Sequence, residues 1–234
     1  MKEQRINLIK KKIDNRKCYV LTEALEFYFD CYKKSSQAKF DETIECIVKL
    51  GIKTQESNHM VQGHVVVPHG FKKSVRVMAI VEETQIKAAN EQGADFVGND
   101  IMIEKIQNGF TDFDVCITTP NMMTKVAKLA KKIGPKGLMP NLNFGTVTTE
   151  IAQTISDYKN GVVVTFKADK SGIVHVPIGK MRFNVAQVKQ NILSFFNTLL
   201  KAKPDKIKNH FITSMFICST QGPSLKLDLK SFLV

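Results

Sequence analysis

The sequence predicts an α+β domain assembled from both ends of the chain and interrupted by an α/β unit. Three observations carry this reading. The middle third alternates short apolar runs with helical patterns, the ends alternate single apolar and polar residues over strand-length stretches, and neither end holds enough elements to close a core alone. Antiparallel strands with helices on one face follow for the ends, and a small parallel sheet follows for the middle.

At the N-terminal end, residues 4–14 and 23–32 read as helices. Residues 39–50 read as a half-buried strand, with Phe40, Ile44, Cys46, Val48 and Leu50 on one side and Thr43, Glu45 and Lys49 on the other. Residues 61–67 are its expected partner strand. In the middle, strands are expected at 75–81, 95–97 and 113–117, with helices at 84–91 and 100–107 between them. Thr119-Pro120-Asn121 then opens a helix over 122–133, in which Met122, Val126, Leu129, Ala130 and Ile133 share one face. Lys125, Lys128 and Lys132 share another face, which reads as solvated surface before it reads as a binding site. Towards the C-terminus, strands are expected at 161–167, 173–176, 211–220 and 224–230. Asn184 is placed to cap a helix with Val188, Ile192, Phe196 and Leu199 as its apolar stripe. The domains therefore divide as 1–68 with 160–234 around an insert of 69–159. Pro68, His69 and Gly70 on one side, and Lys159, Asn160 and Gly161 on the other, are polar turn sequences suited to act as hinges.

Residues 131–145 gather three glycines, two prolines and three lysines. Gly134 stands where a helix C-cap is expected and Pro135 prevents continuation, so the segment reads as a helix exit. A lysine between glycines also suggests amides facing an anion, but the spacing fits neither G-x-x-x-x-G-K-[ST] nor G-x-G-x-x-G.

The chain of 234 residues, 43% hydrophobic, is long enough to bury a sizeable core. Its apolar runs fall short of the roughly 20 residues that cross a bilayer, and lysines interrupt any leader after Met1, so a soluble cytoplasmic protein without a membrane partner is expected. Cys18, Cys31, Cys46, Cys116 and Cys218 lie far apart without a C-x-x-C, which argues against a disulfide framework and a zinc site. The net charge of +12 is unevenly spread: +3 over residues 1–68, +1 over 69–159 and +8 over 160–234. Basic ends around a near-neutral middle suit a polyanion-binding module interrupted by an ordinary domain.

Catalytic patterns are poor. His64 and His69, five residues apart in an extended stretch, point to opposite faces and cannot chelate one metal. Asp41-Glu42 and Glu82-Glu83 diverge on a strand, and no G-x-S-x-G occurs. No metal, cofactor, small-molecule substrate or enzymatic activity is expected. The competing reading, a nucleotide-binding enzyme on the central α/β unit, rests on fold alone. Binding features are better. Lys167, Asp169, Lys170, Gly172 and His175 cluster at a strand-to-strand turn, and Ser219, Thr220, Gln221, Gly222 and Pro223 form a second one. Such donors and open backbone suit RNA shape, phosphate and 2′-hydroxyl groups, although ordinary hairpin turns would carry the same residues.

Six stretches together resemble the bacterial family of large-subunit ribosomal protein L-one. They are Lys-Phe-Asp-Glu-Thr-Ile-Glu (39–45), Val-Val-Val-Pro-His-Gly (65–70), Gly-Ala-Asp-Phe-Val-Gly (93–98), Ile-Gly-Pro-Lys-Gly-Leu-Met-Pro-Asn (133–141), Gly-Thr-Val-Thr (145–148) and Asp-Lys-Ser-Gly-Ile-Val-His (169–175). The resemblance implies a discontinuous α+β domain with an inserted Rossmann-like three-layer domain. It implies a ribosome-bound protein, monomeric when free, that binds large-subunit rRNA at the mobile stalk beside the E site. It further implies help in releasing deacylated E-site tRNA and repression of its own operon mRNA. Carried over position by position, the RNA-facing residues fall on Lys39, Phe40, Glu42 and Thr43, on Lys167, Asp169, Lys170, Gly172 and His175, and on Ser219 to Pro223. Gln221 departs from the family pattern, which has methionine at that place.

Overall fold

The computed structural model describes residues 13–14, 17–34, 40–52, 61–71, 75–204 and 211–232, so residues 4–12 of the helix expected over 4–14, and Lys39, lie outside the described residues, while Ile13 and Asp14 are not helical. Among the described residues nine strands run in chain order: β1 (Thr43–Leu50), β2 (Gln62–Val66), β3 (Val77–Ile80), β4 (Phe96–Gly98), β5 (Val115–Thr118), β6 (Val163–Lys167), β7 (Ile173–Lys180), β8 (Ile212–Ser219) and β9 (Leu225–Leu227). The chain divides into two compact units, one of residues 1–71 with 164–234 and one of residues 72–163.

The first unit carries a four-stranded sheet in the order β7-β1-β8-β9, and all its pairings are antiparallel. Strict alternation along β1 buries Ile44, Cys46, Val48 and Leu50. That apolar row is covered by two helices, Leu21–Lys34 and Val185–Lys201, which also pack on each other. The second helix buries Val188, Ile192, Phe195, Phe196 and Leu199, a stripe at helical spacing, and Phe195 meets Phe166 of β6 edge-on at 5.7 Å. Its start is fastened by the Asn184 amide, which donates to Gln187 Oε1 at 3.0 Å.

Asn191, wholly buried in that helix, is the polar exception. Its Oδ1 accepts from the His69 amide at 3.0 Å, and its Nδ2 donates to the carbonyls of His69 (2.9 Å) and Ile178 (2.8 Å). The His69 ring meets Gln190 Oε1 at 2.7 Å. One side chain thus satisfies both backbone groups of a turn residue and ties them to β7.

The second unit is a three-layer sandwich around a parallel sheet in the order β4-β3-β5. The alternation of β3 decides which helices go where. Val77 and Ala79 face one core with Ala89, Ile151, Ile155 and Tyr158, from the helices Glu83–Glu91 and Ile151–Lys159. Met78 and Ile80 face the other core, with Ile103 and Ile106 from the helix Asp100–Gln107 and with Met122, Val126, Leu129 and Ile133.

Several expectations need correction. Residues 122–133 do not form one helix. Pro120–Ala127 ends at Lys128, and Ala130–Ile133 follows after a turn, yet Leu129 and Ile133 stay buried because the chain keeps its helical direction. The strand 61–67 does not partner β1, since β2 pairs with β6 in a separate two-stranded sheet. Phe40 is 46% exposed and precedes β1, while Glu42 takes the buried place of the alternating row. The helix Ile151–Lys159 and the 3-10 turn Leu142–Phe144 are additions that the sequence pattern does not announce.

The glycine-rich segment after Ile133 is a helix terminator. Gly134 is the C-cap but remains right-handed, with φ −59°, and a Cβ there would sit 2.5 Å from the Ala130 carbonyl oxygen. The left-handed residue is Gly137, with φ +71°. Around it the amide of Leu138 donates to Ile133 O at 3.1 Å and that of Gly137 to Gly134 O at 3.0 Å, the paired bonds that close a helix end. Leu138 then tucks against the core that holds Ile133. Gly137→Ala meets no neighbouring atom, so its cost is the backbone penalty alone. We expect it to destabilise this unit by about 1 kcal/mol, measured as faster hydrogen exchange of the 77–80 and 115–118 amides. An unchanged exchange pattern would mean that Gly137 is not held left-handed.

Candidate nucleic-acid interface

The residues of the first unit expected to meet RNA fall into two groups at opposite ends of β1. At its start, β1 and the turn after β8 are laced together. The Thr43 amide donates to Thr220 Oγ1 at 3.0 Å, the Thr220 amide donates to Thr43 O at 3.0 Å, and Thr220 Oγ1 approaches the same carbonyl at 3.2 Å. Glu42 is wholly buried, its Oε2 accepts from the Gln221 amide at 3.4 Å, and its backbone carbonyl accepts from Met181 at 2.9 Å. A carboxylate withdrawn from water is costly unless donors surround it. Here it braces the turn from beneath. Ser219 is buried and its carbonyl accepts from the Gly222 amide at 3.0 Å. A Cβ on Gly222 would lie 2.4 Å from Ser219 Oγ and 3.2 Å from Tyr28 Cε1, so this turn closes only with glycine there.

At the other end of β1, the turn between β6 and β7 is organised by Asp169. Its Oδ1 accepts from the amides of Ser171 and Ile173, each at 2.8 Å, and its carbonyl accepts from Gly172 at 3.1 Å. Asp169 thus shapes the loop with its carboxylate. Gly172, with φ +74°, donates no side chain and lets the turn close on β1, where Leu50 donates to its carbonyl at 2.8 Å. The shaped loop presents Lys167 and Lys170, both exposed.

The register places these groups. Thr43 pairs with Lys180 and Ile47 with His175, so an exposed His175 shares the face of the sheet that carries Thr43 and is turned away from the two helices. From Thr43 to Leu50 the strand advances about 24 Å at roughly 3.4 Å per residue. The two turns therefore do not converge on one point. They mark the ends of a strip with His175 between them.

Two contributors carry no local sequence signal. Lys180, half-buried, donates from Nζ to Thr43 Oγ1 at 2.7 Å and brings a cation to the start of β1. Tyr28 places its hydroxyl 3.0 Å from Ile217 O and also against Pro223 O, which fixes the far side of the 219–223 turn. Burial pushes that hydroxyl far above its ordinary pKa, so it stays a donor. Tyr28 and Ile217 are 189 residues apart in sequence, and no local spacing reveals the pair. Burial, with Glu45 beside it, likewise pushes the Cys218 thiol up to about 11, so near neutral pH it is a neutral packing group. Among the described residues no three His, Cys, Asp or Glu side chains gather as a metal site, and no helix is long and apolar enough to cross a membrane.

What this geometry offers is a braced polar edge with cations beside it. Residues 32–223 match the family described as the ribosomal protein L1p/L10e family. This chain belongs to the ribosomal protein L1p/L10e family. Among its L1-family relatives is the large ribosomal subunit protein uL1 of Fervidobacterium nodosum, 42% identical over 227 residues that cover 97% of this chain and 94% of the relative. The protein of the same name from Chlamydia pneumoniae is 39% identical over 230 residues, covering 98% and 97%. That from Orientia tsutsugamushi is 41% identical over 227 residues, covering 97% and 89%. The turns at 167–175 and 219–223 both lie within the matched L1-family span. None of these names carries an enzymatic activity.

Proposed function

We propose that this chain is a non-enzymatic structural constituent of the large ribosomal subunit that binds large-subunit rRNA through the open strip of its first unit. The observation that carries the reading is the reciprocal Thr43–Thr220 lacing over the buried Glu42. It joins residues from the two ends of the chain into one prefolded edge, in a unit whose C-terminal part is strongly basic. Prefolding matters because a folded RNA is read by shape, and a rigid polar edge loses little entropy on meeting it. Lys167, Lys170, Lys180 and His175 supply phosphate attraction, while the 219–223 turn and Thr43 fix position.

In this proposal the discontinuous unit is the RNA-binding domain, and the parallel-sheet unit is an insert joined to it near Pro68–Gly70 and Lys159–Gly161. Asn191 grips His69, and the helix before Gly161 ends on a bond from the Val162 amide to Asp157 O at 3.2 Å. Bending is therefore assigned to the residues flanking these anchors. The bound site is the mobile stalk beside the E site, where the chain helps release deacylated tRNA, and the same strip takes the chain's own operon mRNA to repress translation. The protein is then cytoplasmic and ribosome-bound, and monomeric when free. Co-sedimentation tests the assignment. A tagged chain expressed in bacteria is expected in the large-subunit fraction after sucrose-gradient separation at low magnesium. Recovery only at the top of the gradient, with the tag shown not to block folding, contradicts it.

A further inference from the structure

The near-neutral charge of the second unit hides a segregation. Residues 115–149 contain five lysines, Lys125, Lys128, Lys131, Lys132 and Lys136, and no acidic residue or arginine, whereas the rest of residues 69–159 holds six basic and ten acidic side chains. A net +5 segment is therefore set against a remainder of −4. The fold lays the lysine-bearing part of this segment, residues 122–139, along one side of the unit, because Met122, Val126, Leu129 and Ile133 are drawn into the core and every lysine is left exposed.

The partners of these lysines separate them into two kinds. Lys125 is neutralised by Asp100, with Nζ–Oδ1 at 2.9 Å. Lys132 donates to the Gln107 carbonyl and Lys136 to Thr111 Oγ1 at 2.7 Å, so both are positioned by neutral acceptors and not by an opposing charge. Lys128 and Lys131 have no partner among the described residues. The neighbouring helix adds the acid Glu104 and the base Lys105, which leave its own balance unchanged once Asp100 is taken.

We propose that this lysine face, from Lys128 to Lys136, is a second nucleic-acid contact that holds the sugar-phosphate backbone of duplex RNA without reading its sequence. Charge complementarity and side-chain composition argue for that partner. Between Thr124 and Gly137 every exposed residue is Thr, Ala, Gly, Pro or Lys, with no large apolar side chain to anchor a protein interface or enter a membrane. Lysine alone acts as a flexible point charge, suited to phosphates in any order, whereas bidentate base or carboxylate recognition favours arginine. The inference extends the proposed RNA-binding function to a surface that the two turns of the first unit do not include.

The test uses the full chain and a poly(A)·poly(U) duplex, with affinity measured from 50 to 300 mM KCl. For K128Q/K131Q the slope of log affinity against log salt is expected to fall by about 1.5, since each released phosphate contact contributes roughly 0.7–0.9. K128R/K131R is expected to restore the slope. An unchanged slope in K128Q/K131Q overturns the proposal, and so does equal retention of poly-glutamate, which would assign the face to acidic protein. Preference for a large-subunit rRNA fragment over an unrelated folded RNA is read separately. Its absence in the parent chain, with the slope still falling in the double variant, defeats the proposed function while the lysine face stands.

Discussion

Gly222→Val is expected to lower affinity for the stalk rRNA by about 100-fold, a loss of hot-spot size, while leaving a weaker, salt-sensitive attraction. The reason is steric. The Cβ alone would come within 2.4 Å of Ser219 Oγ and 3.2 Å of the Tyr28 ring, so the buried Ser219 hydroxyl has to turn aside and the ring has to give way, before the two methyl groups of valine are placed. The turn has to open away from Tyr28, and with it go the hold of the Tyr28 hydroxyl on Pro223 and the Gln221 amide on Glu42. The lysines are untouched, which is why the non-specific part survives. Filter binding separates the two parts, and far-ultraviolet circular dichroism shows whether the unit is still folded. A folded Gly222→Val protein that binds stalk RNA like its parent would remove the 219–223 turn from the site.

The second large effect is on stability. Asn191→Leu keeps the branching and the number of heavy atoms of the side chain and removes three hydrogen bonds, stranding the His69 amide and carbonyl and the buried Ile178 carbonyl. Unpaired backbone groups of this kind cost about 1–3 kcal/mol each when fully buried. His69 is partly open to water and recovers some of that loss. A destabilisation of about 3 kcal/mol is therefore expected, or a Tm lower by on the order of 10 °C. Thermal unfolding followed by circular dichroism measures it. A change within 1–2 °C would mean that the amide network contributes little and that His69 is not anchored by it.

These two sites also show where sequence reading stops. The alternation Ile44, Cys46, Val48, Leu50 and the stripe Val188, Ile192, Phe196, Leu199 are local patterns, and the structure buries every one of these residues. The parallel sheet of the middle follows the same way from short apolar runs between helical ones. Phe40 and Glu42 illustrate the opposite case. Hydrophobicity assigns Phe40 to the core, but the regular strand begins only at Thr43 and leaves Phe40 outside it. Glu42 occupies the buried row instead, and the amide of residue 221 reaches its Oε2, a pairing that no local pattern announces. Similarly, β2 has the alternation of a sheet partner, and periodicity alone does not say whose partner it is. The break at Lys128–Leu129 leaves the apolar spacing intact, so the 122–133 stripe reads as continuous. At the candidate site, the sequence identifies the two turns but not the residues that hold them, Tyr28 and Lys180, whose partners lie far away in the chain.

Thr220 bears most directly on whether the laced turn grips RNA. Its hydroxyl accepts from the Thr43 amide and meets the Thr43 carbonyl, so Thr220→Val removes the side-chain half of the lacing with little change in volume and leaves the backbone bond from the Thr220 amide to the Thr43 carbonyl in place. A filter-binding titration of parent and Thr220→Val against a structured large-subunit stalk RNA and an unrelated folded RNA of equal length, each at 50, 150 and 300 mM KCl, separates specificity from charge. The parent is expected to prefer the stalk RNA increasingly as salt rises, and Thr220→Val to bind both RNAs equally with the same salt slope. A folded Thr220→Val protein that keeps the parent's preference at 300 mM KCl would contradict the assignment.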